Sequence, residues 1–123
     1  MDGTAAALPV RRPDPAVAVI SMAGDITGAS EGPLMAAYTQ ADGPGTRAVL
    51  LDFGPLGYMN SSGIGLLVTM LVRANRQHQR LLAFGLNDHY RQILSLTRLD
   101  EAIQVHPDET SALAAASGRG TGR

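Results

Sequence analysis

The residues whose type and spacing could support chemistry are two consecutive serines, Ser61 and Ser62, at the junction of two apolar segments. Asn60 precedes them, Gly63 follows, and a long apolar segment begins at Ile64. A short polar side chain at a helix N-terminus accepts a backbone N–H that has no partner within the helix. The sequence therefore predicts that Asn60 or Ser61 caps a helix, with hydroxyl groups open to an outside partner.

Phosphorylation is the chemistry that such a serine could undergo. A phosphate on Ser61 adds about −1.5 to −2 charges at neutral pH, at the positive end of the predicted helix. Backbone N–H groups of a first helical turn can receive a phosphate, so the fold should tolerate the modification. Ser61 is the predicted acceptor and Ser62 the second candidate. The alternative is that the serine only caps the helix, which is the more common role at such a position.

Other reactive groups are absent from the sequence or wrongly spaced. The chain has no cysteine, which excludes disulfides and thiolate metal sites, and no lysine, which excludes a P-loop. His78, His89 and His106 lack the spacing of metal ligands, so no metal site and no catalytic residue are predicted. The serine pair does not fit G-x-S-x-G. A small hydrolase that uses Ser61 or Asp25 is a minor alternative.

Composition narrows the class of protein. The 123 residues are 45% hydrophobic and 17% charged, as in one globular domain. The net charge is −1 and the ten arginines are scattered, so direct nucleic-acid binding is not expected. The apolar runs are too short to span a bilayer, and the N-terminus shows no signal pattern. We expect a cytoplasmic protein that neither crosses nor binds a membrane.

Strand-like and helix-like segments alternate along the chain. Ser30 is a candidate N-cap for the first helix. The alternation predicts an α/β fold with a mixed four- to five-stranded sheet and helices mainly on one face. We expect one domain at 8–116, with flexible ends at 1–7 and 117–123. The predicted strands are 8–11, 16–23, 48–53, 80–86 and 102–105, a turn is expected at 12–15, and helices are expected to follow residues 30, 60, 87 and 107.

The helix after the serines is predicted to run from about residue 61 to residue 78. Apolar residues at 64, 67, 68 and 71, followed at the same helical spacing by Asn75, fit its inward face. Leu66 and Met70 fall outside this stripe, so they are expected to form the apolar part of a docking surface. The alternative is that both pack against an adjacent helix.

Segments 49–53 (VLLDF) and 59–67 (MNSSGIGLL) together resemble the signature of STAS domains, and most of all the bacterial anti-sigma-factor antagonists. The family pattern is apolar-Asp-Ser-Ser-Gly-apolar-Gly at the start of the second helix. Segment 24–26 (GDI) is similar to the family's Gly-Glu-apolar-Asp turn, and segment 90–99 (YRQILSLTRL) to its third helix. The similarity covers about residues 8–116.

The resemblance implies a regulator without catalytic activity or cofactor of its own. Its partner would be an anti-sigma factor that is also a serine kinase of the histidine-kinase-like ATPase type, and ATP would belong to that partner. The kinase would phosphorylate Ser61, and a protein phosphatase would reset it. We expect a monomer or weak homodimer. The residues expected to border the site and contact the partner are Asp25, Ile26, Thr27, Asn60, Gly63 and Ile64.

Two residues depart from the family pattern. Asn60 stands where the family has aspartate beside the acceptor, which removes a negative charge from the docking face. Arg98 stands where the family has glycine before Leu99, so a different turn is expected there. STAS domains of this size also serve in stressosome-like scaffolds, transport-linked modules and ligand sensors. Such a scaffold or sensor is the alternative function.

Overall fold

The computed structural model describes residues 7–117, which form an α/β fold with seven strands and four helices. The predicted fold class is confirmed. The parts of the predicted flexible ends at 1–6 and 118–123 lie outside the described residues. The strands are β1 (Val10–Asp14), β2 (Val17–Ser21), β3 (Gly24–Ile26), β4 (Ala48–Asp52), β5 (Leu56–Met59), β6 (Arg80–Phe84) and β7 (Gln104–His106). The helices are α1 (Glu31–Ala41), α2 (Ser61–Arg76), α3 (Asp88–Leu96) and α4 (Glu109–Ser117).

Five strands form a mixed sheet in the order β1-β2-β4-β6-β7. β1 and β2 are an antiparallel hairpin, whereas β2, β4, β6 and β7 run parallel. Ala48–Asp52 is apolar at four successive positions, because β4 is central and both of its faces are covered. None of the helices within residues 7–117 is long and apolar enough to cross a membrane.

Successive residues of the central strands point to opposite faces of the sheet and pack in two separate hydrophobic cores. Val49 and Leu51 pack with residues of α1, α2 and α3 on one face, whereas Ala48 and Leu50 pack with α4 on the other. Helices therefore lie mainly on one face, as predicted. Arg11 of β1 also holds α4, through two hydrogen bonds of 2.7 and 2.6 Å to the Glu109 carboxylate.

A second, two-stranded ribbon formed by β3 and β5 was not predicted from the sequence. The two strands pair in parallel, with Ile26 opposite Met59. Both strands are short and contain glycine, so they lack the β-branched run that indicates a strand. Gly24 has a φ of +77°, which allows the chain to leave β2 and enter this ribbon.

Two other local predictions were wrong. The turn expected at 12–15 is partly strand, because Pro13 lies on an edge strand where its missing N–H costs no ladder bond. Ser30 makes no capping bond to α1; its hydroxyl instead donates to the carbonyl of Asp25. At Arg98, where a turn different from the family's is expected, the arginine adopts the left-handed conformation with a φ of +64°; the difference from the family stays a prediction.

The buried face of α2 is shifted by about one residue from the predicted inward face, although the predicted Leu67 is buried. The buried residues begin at Gly63 and continue through Leu66 and Met70, whereas Val68 is 43% exposed. Apolar residues occur on both candidate stripes, so periodicity alone does not choose between them. The choice follows from Gly63, the one position whose lack of a side chain allows α2 to approach β3.

Candidate functional site

The two serines lie where β5 turns into α2, beside the ribbon. The N–H of Asn60 donates to the carbonyl of Ile26 at 3.3 Å, which continues the β3–β5 pairing by one residue. From the other side, the hydroxyl oxygen of Tyr90 in α3 accepts the N–H of Met59 at 3.0 Å. The segment before Ser61 is therefore held between β3 and α3.

Asn60 is the residue that caps α2. Its Oδ1 accepts the N–H of Gly63 at 2.9 Å, and its backbone is extended, with φ −98° and ψ −175°. Its carbonyl accepts the N–H of Ile64 at 3.0 Å, the first bond of the helix. The choice between Asn60 and Ser61 as the cap is thereby settled. Because Asn60 supplies the capping oxygen, neither serine hydroxyl is needed for that purpose.

Ser61 and Ser62 are both exposed at the first two positions of α2. Within residues 7–117 neither hydroxyl makes a hydrogen bond to another group. Ser62 lies beside the loop after β3, since a Cβ placed on Gly28 would be 3.6 Å from the Cβ of Ser62. The hydroxyl of Ser61 is therefore available at the positive end of a sixteen-residue helix.

Gly63 brings the helix against the ribbon. A Cβ on Gly63 would overlap the carbonyl oxygen of Ile26 and come within 2.8 Å of the Met59 side chain. Only glycine allows this approach without displacing backbone. The serine site is thus built on a tight helix–strand contact, which keeps the first turn of α2 fixed relative to β3.

The structure corrects four of the predicted partner-contacting residues. Ile26 and Met70 are 1% and 0% exposed, and Gly63 and Leu66 are also buried. Leu66 and Met70 pack in the core between α2 and the sheet, so the docking surface predicted for them is wrong. Ile26 and Gly63 are in close contact beneath the surface at the start of α2. The Ile26 side chain is buried and Gly63 has none, so neither presents a side chain to a partner.

The remaining predicted residues do lie at the surface around Ser61. Asp25 is exposed, and Thr27, Asn60 and Ile64 are half-buried. Thr27 uses its hydroxyl to accept the N–H of Ala29 at 3.2 Å, so it stabilises the turn that faces Ser62. Their role as partner contacts stays a prediction.

Sequence reasoning missed three exposed apolar residues near the site. Tyr58 is 50% exposed on β5, in register with Asp25 of β3. Val68 and Val72 are 43% and 45% exposed on α2. Val68 was missed because the predicted inward face of α2 included it, and Val72 lay outside that face but was not singled out. Successive residues of a strand face opposite sides, so a buried Met59 would have predicted an exposed Tyr58 before it.

The part of the chain that the structure describes offers no arrangement that could hold a metal ion. No group of three or more histidine or carboxylate side chains within residues 7–117 is close enough to hold a metal ion. The chemistry that the start of α2 offers is modification of an exposed hydroxyl.

A family model described as "Mlab, STAS domain" matches residues 11–107, well over half of the chain. An anti-sigma-B factor antagonist of Staphylococcus aureus (strain NCTC 8325 / PS 47) is 29% identical over 62 residues. That alignment covers 50% of this chain and 57% of the relative, so the chain spans little more than half the length of the curated relatives it matches.

Solved structures give the same architecture. An anti-sigma factor antagonist from Mycobacterium paratuberculosis has a TM-score of 0.76 at 21% identity, covering 89% of this chain and 92% of that one. The anti-sigma factor antagonist SpoIIAA in its unphosphorylated form has a TM-score of 0.64 at 18% identity, covering 94% and 100%. The Bacillus cell fate determinant SpoIIAA in the phosphorylated form has a TM-score of 0.64 at 17% identity, covering 89% and 98%. At these identities the likeness shows the fold.

Proposed function

The chain belongs to the STAS domain family, and from this premise we propose that it is an anti-sigma-factor antagonist that changes partners when Ser61 is phosphorylated. The unphosphorylated chain binds an anti-sigma factor that is also a serine kinase of the histidine-kinase-like ATPase type. This binding frees a sigma factor for transcription. Phosphorylation then releases the antagonist, and a protein phosphatase restores the serine. ATP is used by the kinase, and the antagonist needs no cofactor.

The single observation that carries this proposal is that Asn60, and not Ser61, supplies the side-chain cap of α2. Asn60 caps α2 through its Oδ1, so the Ser61 hydroxyl is exposed and uncommitted beside it. A modification of Ser61 therefore leaves the capping bond in place. The N-terminus of α2 favours a negative group by about 0.3–1 kcal/mol in exposed positions, so phosphorylation does not unfold the domain.

The phosphate would act on binding through charge and size. It places about −1.5 to −2 charges on a surface where the unmodified chain presents a hydroxyl. A partner fitted to that hydroxyl loses shape complementarity and must desolvate the phosphate. Within residues 7–117 no arginine forms an ion pair at the start of α2, so no arginine of that part of the chain is placed to offset the new charge.

The test is a binding titration against purified histidine-kinase-like ATPases from the same genome, taken one at a time. We expect one of them to bind the wild type and Ser61→Ala equally, and Ser61→Asp at least about tenfold more weakly. ATP should release the wild type and leave Ser61→Ala bound. Ser62→Ala is the matched control and should behave as the wild type. Equal affinity of the wild type and Ser61→Asp would refute the switch.

One observation favours the second candidate function, a ligand-sensing or scaffold module. A cavity of about 490 Å³ lies between residues 7–8 and the ribbon, and its lining is mainly apolar and includes Asp25. Its walls include Leu8, Gly24, Ile26 and Pro33. A small molecule that copurifies with the chain, or a stable oligomer in light scattering, would favour this function over the antagonist.

A further inference from the structure

The outer face of α2, formed by Ser61, Gly65, Val68, Val72 and Arg76, is exposed along its whole length. These residues follow helical spacing, and the fifteen steps from first to last span about 22 Å. The candidate phosphoacceptor is thus the first residue of a continuous exposed face. Because α2 packs on the sheet through the opposite side, nothing within residues 7–117 covers this face.

The centre of the outer face of α2 is apolar. Val68 and Val72 are 43% and 45% exposed and lie one turn apart. A groove of about 510 Å³ runs beside them, with walls from Val68, Thr69, Val72, Arg73, Arg76 and Gln77. Gly65 leaves the surface between the serine and the valines flat, since a Cβ there would meet no atom within 4 Å. A partner helix or loop can therefore lie close along the face.

The charge on this part of the chain has one sign. No aspartate or glutamate occurs between Asp52 and Asp88, so α2 and its flanks carry no acid. The departure at Asn60 contributes to this pattern, because the family's aspartate would have been the one acid between Asp52 and Asp88. Surfaces that bind one another generally present opposite charges, so the complement of this face is acidic.

The two arginines of α2 have different roles. Arg73 lies with its guanidinium carbon 4.7 Å from the centre of the Tyr38 ring and donates to the Thr39 hydroxyl at 2.9 Å, so it is engaged with α1. Arg76 is exposed, and within residues 7–117 no carboxylate lies within ion-pairing distance of it. Arg76 is therefore the cation that a partner can reach.

We infer that the outer face of α2 is the docking surface for the kinase partner, which covers it with an apolar centre and carboxylates opposite Asn60 and Arg76. This inference rests on the proposed function. It also explains why phosphorylation would weaken binding to the partner. Phosphorylation of Ser61 introduces the first negative charge into an acid-free face, where it repels the acidic partner surface.

The test is a titration of the ATPase that binds wild-type chain, in low and in physiological salt. Val68→Asp places a carboxylate in the apolar centre, and Arg76→Glu reverses the reachable charge. Each should weaken binding at least about tenfold, and wild-type binding should weaken as salt rises. Leu96→Asp on α3, at a residue 75% exposed, and Arg47→Glu, at an exposed residue just before β4, are the matched controls and should bind as wild type.

The outcomes separate this inference from the proposed function. Full-strength binding of Val68→Asp and Arg76→Glu, with Ser61→Asp still impaired, would overturn the α2 surface and leave the switch intact. Failure of every ATPase to bind the wild type would overturn both. A wild-type dimer that Val68→Asp dissociates would assign the face to a second copy of the chain and overturn the inference. Val68→Ser, with its folding checked by circular dichroism, repeats the test if the aspartate variant unfolds.

Discussion

Gly63 of α2 lies so close to the carbonyl oxygen of Ile26 that a methyl group would overlap it. This contact determines which side of α2 faces the core and holds the serines beside the β3–β5 ribbon. It also explains why Leu66 and Met70 are buried while Val68 and Val72 are exposed. The geometry of the candidate site therefore depends on a residue that carries no functional group.

Gly63→Ala should destabilise the fold, because the added methyl has to displace the backbone of β3 or the first turn of α2. We expect a loss of roughly 1–3 kcal/mol in the free energy of unfolding, measured by urea denaturation. Gly65→Ala is the control on the same helix, since its Cβ meets open space. It should stabilise by about 0.5–1 kcal/mol. Similar stability of the two variants would show that the close contact has no energetic consequence.

Asn60→Ala should remove the cap of α2 and cost about 1 kcal/mol of stability. Asn60→Asp keeps the capping oxygen and adds a charge that the helix N-terminus favours, so it should be at least as stable as wild type. Thermal denaturation of the two variants measures the difference. Equal destabilisation by alanine and aspartate would contradict the capping role assigned to Oδ1.

Arg98→Gly should stabilise the chain by about 1 kcal/mol, because Arg98 has a φ of +64° and glycine adopts that conformation without steric cost. Arg98→Ala is the control. It loses the same exposed ion pair with Glu101 but keeps the Cβ that causes the strain. If glycine and alanine give the same melting temperature, the turn is not strained.

The contact between β1 and α4 should make stability depend on pH. The hydrogen bonds from Arg11 hold the pKa of the Glu109 carboxyl below its ordinary value. A carboxyl whose pKa is lowered by folding stabilises the fold above its unfolded pKa, and the effect is lost as pH falls through the folded pKa. Wild type should exceed Arg11→Gln in stability near neutral pH, by at most about 1 kcal/mol because the pair is largely exposed. The difference should shrink as the pH falls below about 4.5, and a constant difference would contradict the assignment.

The sequence was sufficient to predict the central sheet and the position of the site, for identifiable reasons. The continuous apolar runs in β2, β4 and β6 can be buried only in covered strands, and the polar cap before Ile64 indicates the start of α2. The phase of α2 could not be predicted, since apolar residues occupy both candidate stripes and the contact of Gly63 with Ile26 joins distant parts of the chain. The β3–β5 ribbon was missed because its pairing also depends on that long-range packing.

The central claim is that Ser61 is the residue that the kinase modifies. The most direct test is the intact mass of wild type, Ser61→Ala and Ser62→Ala after incubation with ATP and the ATPase that binds them. The account predicts that wild type and Ser62→Ala gain one phosphate group and that Ser61→Ala gains none. A phosphate on Ser61→Ala that is absent from Ser62→Ala would contradict it and assign the acceptor to Ser62.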